Sequence, residues 1–153
     1  MLPDWPAGTV TILATAGETP HAGETPHTTA GEPPHAIPVS AAVRAGPRHA
    51  LIGLAASRGS LARLRADPRV SLAIIAEDVA VTAYGRAQVL DEPLADGVVA
   101  VEIEVHEIRD HDRPTFAIEA GVRWRWTDAE AERRDADVRA ALARLAERRP
   151  GRG

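Results

Sequence analysis

SRGSLARLRADPRVSLAIIA, Ser57–Ala76, joins a helix pattern to a strand pattern. Its first half has Leu61 and Leu64 three residues apart, which predicts a short helix over Ser57–Ala66. Ser57 or Ser60 is the expected N-cap, and Asp67-Pro68 ends the helix. Its second half, Arg69–Ala76, is a mostly apolar strand expected to be buried on both faces. One helix is thus inserted into a chain that otherwise reads as strands.

Upstream, residues 9–15 (TVTILAT) are β-branched and apolar and predict a first strand. His35–Arg44 predicts a second and Arg48–Ala55 a third, with Ala45–Pro47 as the turn. Downstream, Glu77-Asp78 turns into a long strand, Val79–Leu90, whose internal Gly85 predicts a bulge or a close backbone approach. After the loop Asp91–Gly97 comes Val98–Arg109. Val101, Ile103 and Val105 alternate there with Glu102, Glu104 and His106, a strand with one wet face. Asp110–Arg113 is a polar turn, and Thr115–Trp126 predicts a last strand, most clearly Val122–Trp126. Thr127-Asp128-Ala129-Glu130 reads as a capping box opening a C-terminal helix, residues 128–148. The helix stripe of Val138, Ala141, Leu142 and Leu145 is thin, as suits packing on the barrel surface or on a partner chain. Hairpin-joined strands with one inserted helix predict a mainly β fold, an antiparallel split β-barrel with a mid-chain and a C-terminal helix. Its length of 153 residues suits a single domain, 1–153.

Residues 16–35 repeat: AGETPH at Ala16–His21, AGETPH again at Ala22–His27, and AGEPPH at Ala30–His35. The unit has nothing apolar to stack, so it is read as an enlarged hairpin loop, 16–34, rather than a solenoid. Loop closure entropy grows slowly with length, so deletion of Ala16–Thr29 should leave folding intact. The recurring His21, His27 and His35 owe their spacing to the duplication, and no metal site is expected.

The net charge of −4 gives no general attraction to nucleic acid. All 18 basic residues are Arg, which with the abundant Ala points to GC-rich coding, so a single Arg is weak evidence for phosphate. Absence of Cys excludes a disulfide, a thiolate nucleophile and a Cys-ligated metal. No basic flank precedes an apolar run at the N-terminus, and no apolar stretch is long enough to span a bilayer. The expectation is a cytoplasmic protein without membrane or nucleic-acid partners. No Ser-His-Asp motif is present, and the tail from Asp128 to Arg148 reads as a solvated helix face.

Three segments in order resemble the pyridoxamine 5′-phosphate oxidase-like FMN-binding split-barrel family. They are ILAT (Ile12–Thr15) leading to PHAIPVS (Pro34–Ser40), SRGSLARLRADPRVSLA (Ser57–Ala73), and YGRAQV (Tyr84–Val89). The resemblance covers about residues 9 to 126. It departs from the family in the enlarged loop, in Arg58 where Lys is common, and in lacking a longer N-terminal helix.

The resemblance implies FMN, with a deazaflavin as the alternative, held at the interface of a homodimer and serving a small-molecule substrate. The expected phosphate site is Ser57, Arg58 and Ser60 with Leu61, where hydroxyls, a guanidinium and helix-start N–H groups come together. His35, Ala36, Pro38, Val39 and Ser40 would lie along the ring, with Leu51–Leu54 beside them. Trp124 and Trp126 would flank it, on one face of the last strand with Arg125 on the other. A deazaflavin's acidic tail would call for a basic groove, and Arg44, Arg48, Arg63 and Arg65 are the candidates. The competing reading is a non-catalytic module storing a flavin, or a haem on His35 or His106. A true pyridoxamine phosphate oxidase is not expected, because a helix follows Trp126 where its basic substrate-binding segment would be.

Overall fold

The computed structural model describes residues 1–16 and 33–149. Nearly all of the predicted repeat loop 16–34 lies outside them, as do His21 and His27. The elements, in chain order, are β1 (Thr11–Thr15), β2 (His35–Val39), β3 (Ala42–Gly46), β4 (His49–Ala55), α1 (Gly59–Ala66), β5 (Arg69–Ala76), β6 (Val79–Ala95), β7 (Val98–Asp110) and α2 (Ala129–Glu147). Every strand pairing is antiparallel, in the order β2-β1-β5-β6-β7-β4-β3.

That order explains the barrel. Its two edge strands, β2 and β3, are consecutive in the chain and joined only by Ser40 and Ala41. A strand that leaves one edge and immediately forms the opposite one rolls the sheet on itself. The backbone marks the seam, where Gly53 N–H donates to the Ala41 carbonyl at 2.9 Å. The predicted single strand His35–Arg44 is therefore two strands. Its alternation runs on smoothly through the corner, so the pattern gave no sign of the break.

The barrel interior is filled by Leu13, Ile52, Leu72, Ile74, Val101 and Ile103, all fully buried. With few aromatic side chains, aliphatic residues from every strand close the core. Strand β5 does not bury both faces as expected. Val70, Leu72, Ile74 and Ala76 point inward, while Ile75 is 46% exposed on the outer face. At β5 the sheet is covered on one side, and the near-continuous apolar run there reflects an apolar outer surface instead of a second core.

Both helix starts differ from the sequence reading. In α1 the N-cap position belongs to Arg58, with no side-chain cap bond, and Ser60 is turned inward and buried. In α2 the cap is Asp128, whose carboxylate accepts from Glu130 N–H at 2.8 Å and Ala131 N–H at 3.1 Å, in place of Thr127 one residue earlier. These bonds lower the Asp128 carboxyl pKa. Helix α2 lies on β3 and β4, burying Val138, Leu142 and Leu145 against Ala41, Leu51 and Ala100.

The predicted last strand is absent. Residues 111–127 form no ladder and run as an irregular segment across one end of the barrel. Isolated bonds pin it: Asp78 N–H to Ile118 O at 3.0 Å and Val10 N–H to Val122 O at 2.9 Å. Between them Gly121 presses on the β5 backbone so closely that a Cβ there would sit 1.8 Å from the Ile75 carbonyl oxygen. The Val and Trp content of the segment suits a strand, but β1 and β5 already use their edges on each other and on β2 and β6. No free edge remains for it there.

Candidate functional site

The seam between β2 and β4 is left open at one end, and the irregular segment folds over it. The result is a cleft of about 440 Å³ lined by Pro38, Val39, Ser40, Gly53, Leu54, Ala55, Arg58 and Trp124–Thr127. That volume lies in the range of small-molecule sites. Three separated parts of the chain build it: the end of β2, the end of β4 running into α1, and the approach to α2.

Each contributes something different. Pro38 is exposed on β2, and Ser40 is half-buried just after it. Gly53 gives the floor a bare backbone, and Ala55 a small side chain. Arg58 is exposed at the start of α1, its backbone N–H donating to Ala55 O at 3.0 Å, and it brings a positive charge to the cleft lining. Trp124 and Trp126 meet edge to face, ring centroids 5.8 Å apart and planes at 76°, and form an aromatic wall. Trp124 remains 43% exposed.

Of the residues singled out from sequence, the structure brings together Pro38, Val39, Ser40, Arg58, Trp124 and Trp126, with Leu54 from the neighbouring strand. Ser57 is exposed immediately beside Arg58, outside the lining. Ser60 and Leu61 face the core at 2% and 3% exposure. His35 and Ala36 lie at the far end of β2, next to Thr15 and Ala14 of β1. Arg125 lines the same cleft as both Trp residues, against the expected opposite face, because strand alternation does not govern an irregular segment. None of Arg44, Arg48, Arg63 and Arg65 lines the cleft, and neither do His35 and His106. Arg44 pairs with Asp4 at 3.3 Å, and Arg48 donates to the Val105 and His106 carbonyls at 3.1 and 2.9 Å.

Sequence reasoning missed Asp135. Its buried carboxylate accepts from Ser40 Oγ at 2.5 Å and from the Arg139 guanidinium. The signal was an acidic residue three places before Val138, on the apolar stripe of α2. Among the described residues, no group of three His, Asp or Glu side chains is placed to hold a metal. No helix among them is long and apolar enough to cross a membrane.

No family model and no curated protein matches the sequence. Solved structures do match in fold. HupZ of Group A Streptococcus superposes with a TM-score of 0.53 at 11% identity, covering 74% of this chain and 90% of its own. Conserved hypothetical protein Rv2991 of Mycobacterium tuberculosis gives 0.50 at 22% identity, covering 67% and 78%. A candidate pyridoxamine 5′-phosphate oxidase of Listeria innocua gives 0.49 at 14%, covering 67% and 88%. At such identities the likeness is one of fold, and the fold is the split barrel.

Proposed function

We propose that this chain is a flavin-binding oxidoreductase of the pyridoxamine 5′-phosphate oxidase-like split-barrel family, working as a homodimer with FMN in the seam cleft. The observation that carries the reading is the convergence of Pro38–Ser40, Gly53–Ala55, Arg58 and Trp124–Trp126 on one cleft. Of what the family resemblance names, this joins Pro38–Ser40 and Gly53-Leu54 for the ring, Arg58 for the phosphate and Trp124 and Trp126 as flanking aromatics, while His35, Ala36, Ser57, Ser60 and Leu61 stay outside.

The donor set suits the cofactor. Arg58, which lines the cleft at the start of α1, suits a phosphate. The small side chain of Ala55 leaves room beside the strand for a flat ring, and the tryptophan pair offers an apolar flank. Two arginines, Arg58 and Arg125, line the cleft. That charge matches one phosphate better than the long acidic tail of a deazaflavin, since the four arginines suggested for such a tail lie elsewhere. When bound, the flavin supplies hydride or electron transfer to a small molecule stacked on its ring, and the protein binds, orients and shields it.

The dimer is supported by the surface beside the cleft. Ile12, Ile75, Val122 and Trp124 are exposed apolar side chains on the ends of β1 and β5 and on the segment that crosses them. Such a patch, running into the cleft, suits a partner that completes the site.

The test is the visible spectrum of the purified protein, with mass spectrometry of whatever denaturation releases. A yellow protein releasing FMN supports the reading, and release of a deazaflavin replaces the cofactor. A colourless protein that takes up no added FMN removes the flavin and leaves the fold standing.

A further inference from the structure

Ser40 lines the cleft, and the direction of its hydrogen bond is fixed by what faces it. Its Oγ stands 2.5 Å from Asp135 Oδ1, while the other oxygen, Oδ2, accepts from Arg139. Asp135 is 9% exposed and reaches Ser40 from α2, 95 residues further along the chain, behind the cleft lining. An ionised carboxylate only accepts and a guanidinium only donates. The single proton of Ser40 is therefore committed to Asp135, and the Ser40 oxygen can present only lone pairs to the cleft.

We infer that Asp135 is a positioning residue that makes Ser40 an acceptor-only reader of the ligand, selecting a cofactor edge that carries an N–H donor. The inference rests on the flavin reading. The pyrimidine edge of a flavin has one such donor, N3–H, between two carbonyl groups. A phosphate, which offers acceptors at neutral pH, is turned away from Ser40 and toward Arg58 and Arg125.

Asp135→Asn inverts the arrangement. Because Arg139 can only donate, the amide oxygen must face it, leaving the amide NH₂ toward Ser40. Ser40 then accepts from the amide and turns its own proton into the cleft, donor against donor. The experiment measures FMN dissociation constants by flavin fluorescence for the wild type, Ser40→Ala, Asp135→Asn and the double variant, with melting temperatures alongside. Loss of a single matched hydrogen bond weakens binding about tenfold. Ser40→Ala should weaken binding by about that factor in the wild-type background and tighten it in the Asp135→Asn background. A double variant no tighter than Asp135→Asn overturns the inference, because Asp135 would then act only by seating α2. Unchanged affinity in Asp135→Asn also overturns it. Should Asp135→Asn not fold, the wild type alone decides: it should prefer FMN over N3-methyl FMN by about tenfold or more, and equal affinity refutes the donor reading. A wild type that takes up no FMN defeats the flavin reading first, and this inference with it.

Discussion

Gly53 is the point where cleft, sheet and helix α2 meet, and substituting it yields a quantitative test of how α2 is seated. A Cβ added there would lie 2.7 Å from Val138 Cγ1, 3.4 Å from Val98 Cγ1 and 3.6 Å from Ala41 Cβ. Only the first distance is prohibitive, and Val138 is a β-branched helical residue with one favoured rotamer, so its methyl cannot swing aside. Gly53→Ala should therefore push α2 outward and cost about 2 kcal/mol, as overpacked cores do. For a chain of this size that is a fall of roughly 4–8 °C in Tm. Val138→Ala removes two buried methyl groups and leaves a void, for a similar loss of about 2 kcal/mol. In the double variant the new methyl at 53 enters the space vacated at 138, so the losses should fall short of their sum by about 1–2 kcal/mol. Chemical denaturation of the four proteins measures this directly. Losses that add to within about 0.5 kcal/mol would show that the two residues do not touch, and the packing argument would fail. Because Asp135 lies one turn before Val138 on the same helix, Gly53→Ala should also weaken FMN binding, and Val138→Ala should restore part of it.

Arg58→Ala should weaken FMN binding by about tenfold or more, with little change in Tm, because the residue lines the cleft and is exposed. An unchanged affinity would move the phosphate elsewhere. Asp128→Ala should cost about 1 kcal/mol by uncapping α2, whereas Thr127→Ala should cost far less; thermal melts of both decide which residue is the cap. Hydrogen bonds from the Arg69 guanidinium and backbone N–H hold the Asp67 carboxyl at about 2, below its ordinary 3.8. A depressed carboxyl stabilises the fold above its unfolded value and loses that contribution as pH falls toward 2. Urea unfolding from pH 5 to pH 2.5 should therefore show a steeper acid loss in the wild type than in Asp67→Asn, and parallel curves would contradict it.

Much of the barrel was legible because its strands alternate against one core. Val101, Ile103 and Val105 of β7 point inward as their alternation predicts. Glu102, expected on the wet face, is instead buried and paired with Arg149 at 2.8 Å beside the end of α2. Gly85 sits where predicted, at a register shift between Tyr84 and Gly85. A Cβ at Gly85 would stand 2.2 Å from the Glu104 carbonyl oxygen, so the close approach is real. What alternation could not reveal is where strands change partner. Ser40-Ala41 divides one apparent strand into the two sheet edges, and that corner depends on contacts with Gly53, remote in sequence. The segment ending in Trp124–Trp126 has strand-forming residues yet finds no edge to pair with. Its place over the cleft, with Arg125 turned in beside the rings, follows from tertiary packing that propensity does not carry. At the cleft, the residues found from sequence belong to local motifs, such as Pro38–Ser40 and Arg58. Asp135 belongs to no motif, and only the fold brings it to Ser40.

A flavin lying against Trp124 and Trp126 would quench their emission, so tryptophan fluorescence is followed during an FMN titration. The third tryptophan, Trp5, packs against the core rather than lining the cleft. Tryptophan emission should be quenched saturably as FMN binds. Most of that quenching should vanish in Trp124→Phe/Trp126→Phe, where Trp5 alone emits. FMN that binds while leaving wild-type emission unchanged, or that quenches the double variant just as strongly, would place the flavin away from this cleft.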